Sequence, residues 1–237
     1  MSYIYLKKEK KSLHLQKKRI FIIFFLFTGL TFFGFAFLPI INFQIAYSTQ
    51  LKQIIDPLSA KSSSQNGSLL GDVSTDYTQL SNWFVDDYSV PDQLVNINNP
   101  QSTYYLSIPK LNIKDAVVTL GSMDLKKSLI QYPQTALPGQ LGNTVVFGHS
   151  VLPQFFSPKN YLTIFSTLYK LKQGDEIILQ YDRSVYKYVI EEMFEVKPTN
   201  LSVLEQRFDN KTLTLITCSP PGTYLRRLII KAQLAIN

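Results

Sequence analysis

The run Ile20–Tyr47 holds no charged residue, and the next charge after it is Lys52. A bilayer core requires roughly 20 apolar residues in a helix, so this run is long enough to span one. A cleaved signal peptide would carry an apolar stretch of only about 7–15 residues ahead of a small-residue cleavage site. This run is longer, and no A-x-A site comes after it. Residues 20–47 are therefore read as an uncleaved transmembrane helix; Gly29, Gly34 and Pro39 fit that reading, since Gly and Pro are frequent in membrane helices. Ahead of it, residues 1–19 carry Lys7, Lys8, Lys10, Lys11, Lys17, Lys18 and Arg19 against Glu9 alone. By the positive-inside rule this basic tail stays in the cytoplasm, and everything after about residue 47 lies outside. The tail accounts for almost all of the net charge of +7. The rest of the chain is close to neutral and offers no phosphate-binding surface, which argues against a nucleic-acid partner.

Residues 48–100 read as an extracytoplasmic stalk. Its stretch SAKSSSQNGS (59–68) has the composition of a flexible linker. Further on, NWFVDDYSVP (82–91) is expected to dock on the domain, because Trp83 and Phe84 are too apolar to be left solvated. From Thr103 the pattern changes to short β-like runs between turns. TYYLSI (103–108) ends at Pro109, DAVVTL (115–120) at Gly121, and NTVVFG (143–148) comes after the turn PGQLG. DEIILQY (175–181) and VYKYVIEEMFEV (185–196) flank DRS as a hairpin. KTLTLIT (211–217) and RRLIIKAQLAI (226–236) close the chain. Helical pieces are expected at 124–131 and 161–169. Many short strands with few helices indicate an all-β barrel or sandwich over residues 101–237.

Cys218 is the chain's one cysteine. Outside the cytoplasm it has no internal disulfide partner, so it is either a buried inert thiol or a reactive one. It falls at the end of the apolar run TLTLIT, immediately before SPPG, where a strand opens into a loop and a side chain reaches a rim. Of the two histidines, His14 lies in the cytoplasmic tail. His149 comes directly after NTVVFG and so stands at a strand end, as Cys218 does. Thiol attack on an amide carbonyl needs a thiolate, a proton donor for the leaving amine and a group that stabilises the oxyanion. Cys218 and His149 supply the first two. Arg226 and Arg227 open the strand that returns antiparallel beside 211–217, and an arginine keeps its charge and its fixed donors. Successive strand residues point to opposite faces, so only one of the pair can face Cys218.

These residues resemble a known family. TLITC (214–218) is similar to the sortase signature T-L-x-T-C, and GHS (148–150) resembles the sortase G-H motif. IPKLNI (108–113), ALPGQLGNTVVFGHS (136–150), LYKLKQGDEIIL (168–179) and CSPPGTYLRRLIIKA (218–232) are also sortase-like and occur in the family's order. The resemblance implies an eight-stranded sortase-type β-barrel with short helices, preceded by the N-terminal transmembrane helix. It implies a catalytic set of His149, Cys218 and Arg227. The resemblance favours Arg227 over Arg226, because the family's arginine is directly followed by an apolar strand run, as Leu228–Ile229–Ile230 follows Arg227.

The resemblance further implies a cysteine transpeptidase at the bacterial cell membrane. It would cleave an LPxTG-like sorting signal on surface proteins through a thioacyl-enzyme. It would pass the acyl group to an amine on cell-wall peptide or a pilin subunit. Thr217 would hold the strand end or the substrate. Leu201, Val203 and Leu204 in the 198–210 connection would line the groove for the signal's apolar residue, or are ordinary core packing. Glu191, Glu192 and Glu195 read as a solvated strand face, so no metal and no cofactor is assigned. Two other readings use the same residues: a hydrolytic cysteine peptidase, and a non-catalytic membrane-anchored binding module with Cys218 as a core thiol. The topology is checked directly: a reporter fused after Asn237 is expected to score as extracytoplasmic, and a cytoplasmic score would overturn the anchor assignment.

Overall fold

A computed structural model of the chain describes residues 21–35, 37, 38, 41, 76–83 and 103–235. The chain divides into two units, Met1–Gln50 and Leu51–Asn237. In the first, residues 21–35 are helical and expose Phe, Ile and Leu side chains along their length. Among the described residues no helix is long and apolar enough to cross a membrane. Much of the expected span 20–47 lies outside the described residues, as do Phe84 and most of the 48–100 stalk.

The second unit is a closed barrel of eight strands. They are β1 (Thr103–Ile108), β2 (Ile113–Leu120), β3 (Leu129–Gln131), β4 (Gly142–Phe147), β5 (Glu176–Tyr181), β6 (Ser184–Val196), β7 (Lys211–Ser219) and β8 (Arg226–Leu234). Around the barrel the order is β1-β2-β3-β4-β7-β8-β6-β5, with β5 closing onto β1. Neighbours are antiparallel except at β2–β3 and β4–β7, which run parallel. The β5–β6 hairpin turns on Asp182 and Arg183, with φ of 47° and 61°. Two consecutive positive φ values match the right-handed twist of the flanking strands. The barrel, rather than the sandwich, results from the pairing of β1 with both β2 and β5, which leaves no sheet edge open.

Both expected helical pieces are absent. Over 124–131 the chain makes a bridge at Asp124, a turn and then β3. Leu125 and Leu129 have helical spacing, but Leu129 and Ile130 are consecutive and both fully buried. One packs in the barrel interior and the other on its outer face, as a strand covered on both sides requires. Over 161–169 a run of turns leads to a short 3-10 segment, Leu168–Lys170. Its backbone bonds reach back three residues, as in Ser166 N–H to Thr163 and Leu168 N–H to Phe165. β-branched Thr163, Ile164 and Thr167 weaken the case for an α-helix there.

The strands sort their side chains between two cores. Leu106, Val118, Leu129, Val146, Leu213, Leu215, Leu228 and Ile230 fill the interior. On the outer face Ile130, Val145, Phe147, Ile216, Cys218 and Ile229 form a second cluster, joined by Val196, Val203 and Leu125 and by Leu80 and Trp83. Glu195 departs from the solvated face expected of it. A register shift between Ile190 and Glu192 leaves Glu191 and Glu192 both in solvent and resets the alternation. Glu195 is consequently buried and accepts a hydrogen bond from Ser219 Oγ.

One buried amide ties the 198–210 connection to the sheet. Asn143 Nδ2 donates to the carbonyls of Val203 (3.2 Å) and Glu205 (3.4 Å), while its Oδ1 accepts from Thr214 Oγ1 at 2.7 Å. Asn143→Ala strands those partners in a buried place, so it is expected to cost about 1–3 kcal/mol in urea unfolding. An unchanged midpoint would show that packing alone holds the connection.

Candidate active site

The site is assembled where β4, β7 and β8 end. The parallel pairing of β4 and β7 runs in register to Phe147↔Ile216. His149 and Cys218 each stand two positions beyond that pair, so they come side by side where β4 ends. Three bonds continue the alignment past the strands. Gly148 N–H donates to the Ile216 carbonyl (3.2 Å), Thr217 Oγ1 to the Gly148 carbonyl (2.8 Å) and Ser150 Oγ to the Cys218 carbonyl (3.0 Å). Position 148 must be glycine, because a Cβ there would lie 2.3 Å from the Phe165 ring and 2.7 Å from Leu129. The residue before the histidine is thereby set by the close packing of the loop over the barrel.

β8 returns antiparallel, and Cys218 is paired across the strands with Arg227, while Ser219 is paired with Arg226. Cross-strand partners share a face. Arg227 is 1% exposed and lies on the side of Cys218; Arg226 is half-buried on the other. Thr217 also points away from Cys218, and its hydroxyl is committed to the Gly148 carbonyl, which makes it a tie between β7 and the His149 loop. In the 3-10 segment Leu201–Leu204, Val203 and Leu204 pack into the outer cluster that contains Cys218, and Leu201 stays outside that cluster.

The segment 76–83, from the expected stalk, lies over this outer face. Gln79 bridges antiparallel to Asp124, and the backbone bonds Leu80 N–H to Met123 (3.0 Å) and Leu125 N–H to Thr78 (2.9 Å) hold it there. Leu80 and Trp83 are buried at 2% and 0% exposure. The Trp83 ring meets Phe147 edge-on at 5.5 Å, and its indole N–H donates to the Tyr77 carbonyl at 2.7 Å. Trp83 also occupies Arg227. Nη2 donates to the Trp83 carbonyl at 2.6 Å, and the guanidinium carbon sits 5.1 Å from the indole centroid. Nη1 donates to the carbonyls of Tyr224 and Arg226, both at 3.1 Å, while Nε is buried without a partner. Tyr77 stacks on Tyr224 at 3.9 Å with 13° between the rings. Trp83 stood out in the sequence as a large apolar residue in polar surroundings. Tyr77, Leu80 and Tyr224 carried no comparable signal, because their partners are distant in sequence.

This cover governs the electrostatics. Burial pushes the Cys218 thiol up to about 11, and the nearby Arg227 charge opposes that only in part. Burial also pulls His149 below the ordinary imidazole range, with the Asp76 carboxylate acting the other way. His149 Nδ1 is buried without a hydrogen-bond partner. Arg227 is lowered by burial as well, opposed by Cys218, but an arginine remains a cation at neutral pH. With the segment in place the pair therefore rests as thiol and neutral imidazole rather than as thiolate and imidazolium.

From Ser150 onward, the residues after His149 line a cleft of about 540 Å³. Leu152, Phe155 and Leu162 form its wall on the loop after β4, and Gly222 and Tyr224 on the β7–β8 loop.

A closed barrel carrying one thiol, one imidazole and one buried guanidinium at a shared rim defines a cysteine-centred β-barrel. The family model for the Sortase domain matches residues 106–235, and the chain belongs to the sortase family. It is 28% identical over 130 residues to Sortase A of Streptococcus agalactiae, covering 54% of this chain and 51% of that one. It is 27% identical over 168 residues to Sortase A of Bacillus anthracis, covering 67% of this chain and 75% of that one. The chain thus spans about half the length of the first of these relatives. Among solved structures, a Clostridium perfringens Sortase D5 transpeptidase superposes with a TM-score of 0.50 at 30% identity, covering 61% of this chain and 85% of that one.

A thiol at about 11 is almost wholly protonated at pH 7, with roughly one part in ten thousand as thiolate. Labelling of Cys218 by iodoacetamide is expected to climb tenfold per pH unit through the neutral range. Trp83→Ala opens the cluster, so it should lower the inflection and speed labelling at pH 7 by about tenfold or more. Identical profiles for the two proteins would show that Trp83 does not control the thiol.

Proposed function

We propose that this protein is a sortase transpeptidase that uses Cys218, His149 and Arg227. The observation that carries this is the arrangement at one rim: His149 and Cys218 end adjacent parallel strands, and Arg227 is the cross-strand partner of Cys218. Sγ of Cys218 attacks the carbonyl carbon of the scissile amide in an LPxTG-like sorting signal. The thiol proton passes to His149, which gives it to the leaving amine as the C–N bond breaks, and a thioester remains on Cys218. An incoming amine then attacks the thioester, His149 takes its proton, and the thiol is released. Arg227 donates to the oxygen on which charge develops in both steps.

The segment 76–83 supports this reading. Arg227 Nη2 is held by a backbone carbonyl, that of Trp83, and Leu80 and Trp83 fill an apolar groove beside Cys218. An extended peptide with an apolar residue and a carbonyl for Arg227 would take the same places. Val203 and Leu204 then line the groove for the signal's apolar residue. Displacing the segment frees the guanidinium. The basic tail and the apolar run 20–47 anchor the protein in the bacterial membrane, with the barrel on the outer side. Surface proteins bearing the signal are the donors, and an amine of the cell wall or of a pilin subunit is the acceptor.

Incubation of the chain with a labelled peptide library of the Leu-Pro-x-Thr-Gly type is expected to trap a thioester on Cys218. Amine addition should convert hydrolysis product into transpeptidation product. Cys218→Ala should abolish both, and Arg227→Lys should lower kcat/KM by about 100-fold or more, as for loss of an oxyanion donor. Turnover persisting in Cys218→Ala would overturn the mechanism. Hydrolysis alone, whatever amine is supplied, would favour a peptidase on the same residues.

A further inference from the structure

Three successive carbonyls of the 198–210 connection are held by two side-chain amides. Asn143 Nδ2 donates to those of Val203 and Glu205, and Gln206 Nε2 donates to that of Leu204 between them, at 3.1 Å. Gln206 Nε2 also donates to the Asn143 carbonyl at 3.0 Å. Its Oε1 accepts from the N–H groups of Asn143 (3.0 Å) and Ala136 (3.3 Å). The two side chains therefore cross, each bonding the backbone of the segment that carries the other. Both donors and both acceptor positions of the Gln206 amide are used.

The stretch ALPGQLGN (136–143) supplies one half of this clasp, through Ala136 and Asn143. Gly142 has φ of +121°, and a Cβ there would lie 2.8 Å from the Ala136 Cβ and 3.0 Å from Gln206 Oε1. A glycine at 142 thus leaves room for Gln206 to reach both N–H groups. The other half carries Val203 and Leu204, whose side chains pack into the outer cluster with Cys218. The same 3-10 segment is fixed at its start, where Asn200 Oδ1 accepts from Ser202 N–H (3.0 Å) and Ser202 Oγ (2.7 Å). A wall whose backbone is already bonded into the sheet does not have to be ordered by the peptide that enters the groove, and that saving strengthens binding. Asn143 is buried and also holds Thr214 of β7, so replacing it disturbs the sheet. Gln206 is half-buried and bonds only backbone groups, so it can be altered with the strands left in place.

We propose that Gln206 is a positioning residue for the acyl donor: with Asn143 it holds the backbone of residues 203–205, before any peptide arrives, in the shape that receives the apolar residue of the sorting signal. The inference rests on the reading of Val203 and Leu204 as the wall of the donor groove. Gln206 acts on the peptide through those two side chains. Its loss is therefore felt in donor binding and in discrimination at the apolar position, and not in the bond-breaking steps at Cys218.

The test uses the full chain with two labelled peptides of the Leu-Pro-x-Thr-Gly type, one with Leu and one with Ala at the apolar position, and hydroxylamine at saturating concentration as acceptor. Gln206→Glu keeps the size and the accepting oxygens but, as a carboxylate, loses both donors; Gln206→Met keeps the length and loses every bond. Each is expected to raise KM for the Leu peptide by about tenfold, with kcat held within about twofold. The Ala peptide fills less of the groove, so the Leu-to-Ala ratio of kcat/KM should fall by about tenfold. A loss of folded protein alone would lower both peptides alike and leave that ratio where it was. Val185→Lys, on the exposed β5–β6 hairpin, should also leave it unchanged and serves as the control. An unaltered ratio in both Gln206 variants, or a fall in kcat at constant KM, would overturn the positioning role while leaving the thioester chemistry intact. Equal use of the two peptides by the unaltered chain would remove the groove reading, and the inference with it. Should neither variant fold, amide exchange decides: the N–H groups of Ala136 and Asn143 are expected to exchange slowly in the unaltered chain without peptide. Fast exchange that slows only when the Leu peptide binds to Cys218→Ala would show that the peptide orders the wall, and would overturn the proposal.

Discussion

The parallel pairing of β4 with β7 is the constraint on which the site depends. Parallel neighbours finish at the same edge of a sheet, so the residues just past their ends meet. β4 has six residues, and at about 3.3 Å each it is about 20 Å long. Had it run antiparallel to β7, His149 would have emerged that far from Cys218. β8 then has only to reverse direction after the SPPG loop to lay Arg227 against Cys218, because antiparallel register places cross-strand partners on one face. The register is in turn maintained past the strands by Gly148, Thr217 and Ser150, which bond across the gap at 2.8–3.2 Å. Thr217 therefore contributes as a brace, from the interior side of β7, and not from the groove side.

A second layer of control comes from covering the outer face of the sheet. Most barrels of this size present one apolar surface to the inside and a polar one to water. Here β3, β4, β7 and β8 are apolar on both faces, and the outer one is closed by Leu80, Trp83, Leu125 and Val203. The consequence for chemistry is direct. Removing water from around Cys218 favours the neutral thiol, and removing it from His149 favours the neutral ring. The apolar cover over Cys218 thus favours the neutral thiol. Arg227 joins the two effects, since its guanidinium lies beside the thiol and bonds the Trp83 carbonyl.

The rim has two dissimilar sides. On one, an apolar groove is coupled to a charged donor that can hold a backbone carbonyl. On the other, a cleft lined by Leu152, Phe155, Leu162 and Tyr224 has no charge in its wall. The asymmetry arises from the order of residues along β7, β8 and their loop: Cys218 faces outward with Arg227, while Gly222 and Tyr224 turn toward the loop after His149.

Much of this was legible in the order of residues alone. The alternating apolar runs from residue 103 onward marked seven of the eight strands to within a few residues. The isolated Cys218 and His149, each at the end of an apolar run, marked the candidate rim, whereas the residues alone left Arg226 and Arg227 open and only the family resemblance favoured Arg227. β3 was not legible, since three residues buried on both faces have no alternation to display, and Leu125 with Leu129 imitated helical spacing. The turns at 161–169 misled for a related reason: spacing of three and four suits successive 3-10-like turns as well as it suits an α-helix. Glu195 was misplaced because a bulge resets which side of β6 faces water, and a bulge depends on pairing with β8. By itself, then, the sequence determined which residues could do chemistry and which stretches could be strands, because composition and periodicity are local properties. Only the tertiary structure decided that β4 and β7 run parallel, that segment 76–83 covers the groove and that Tyr224 touches both it and the cleft. Those are contacts between residues far apart along the chain, and no local pattern encodes them.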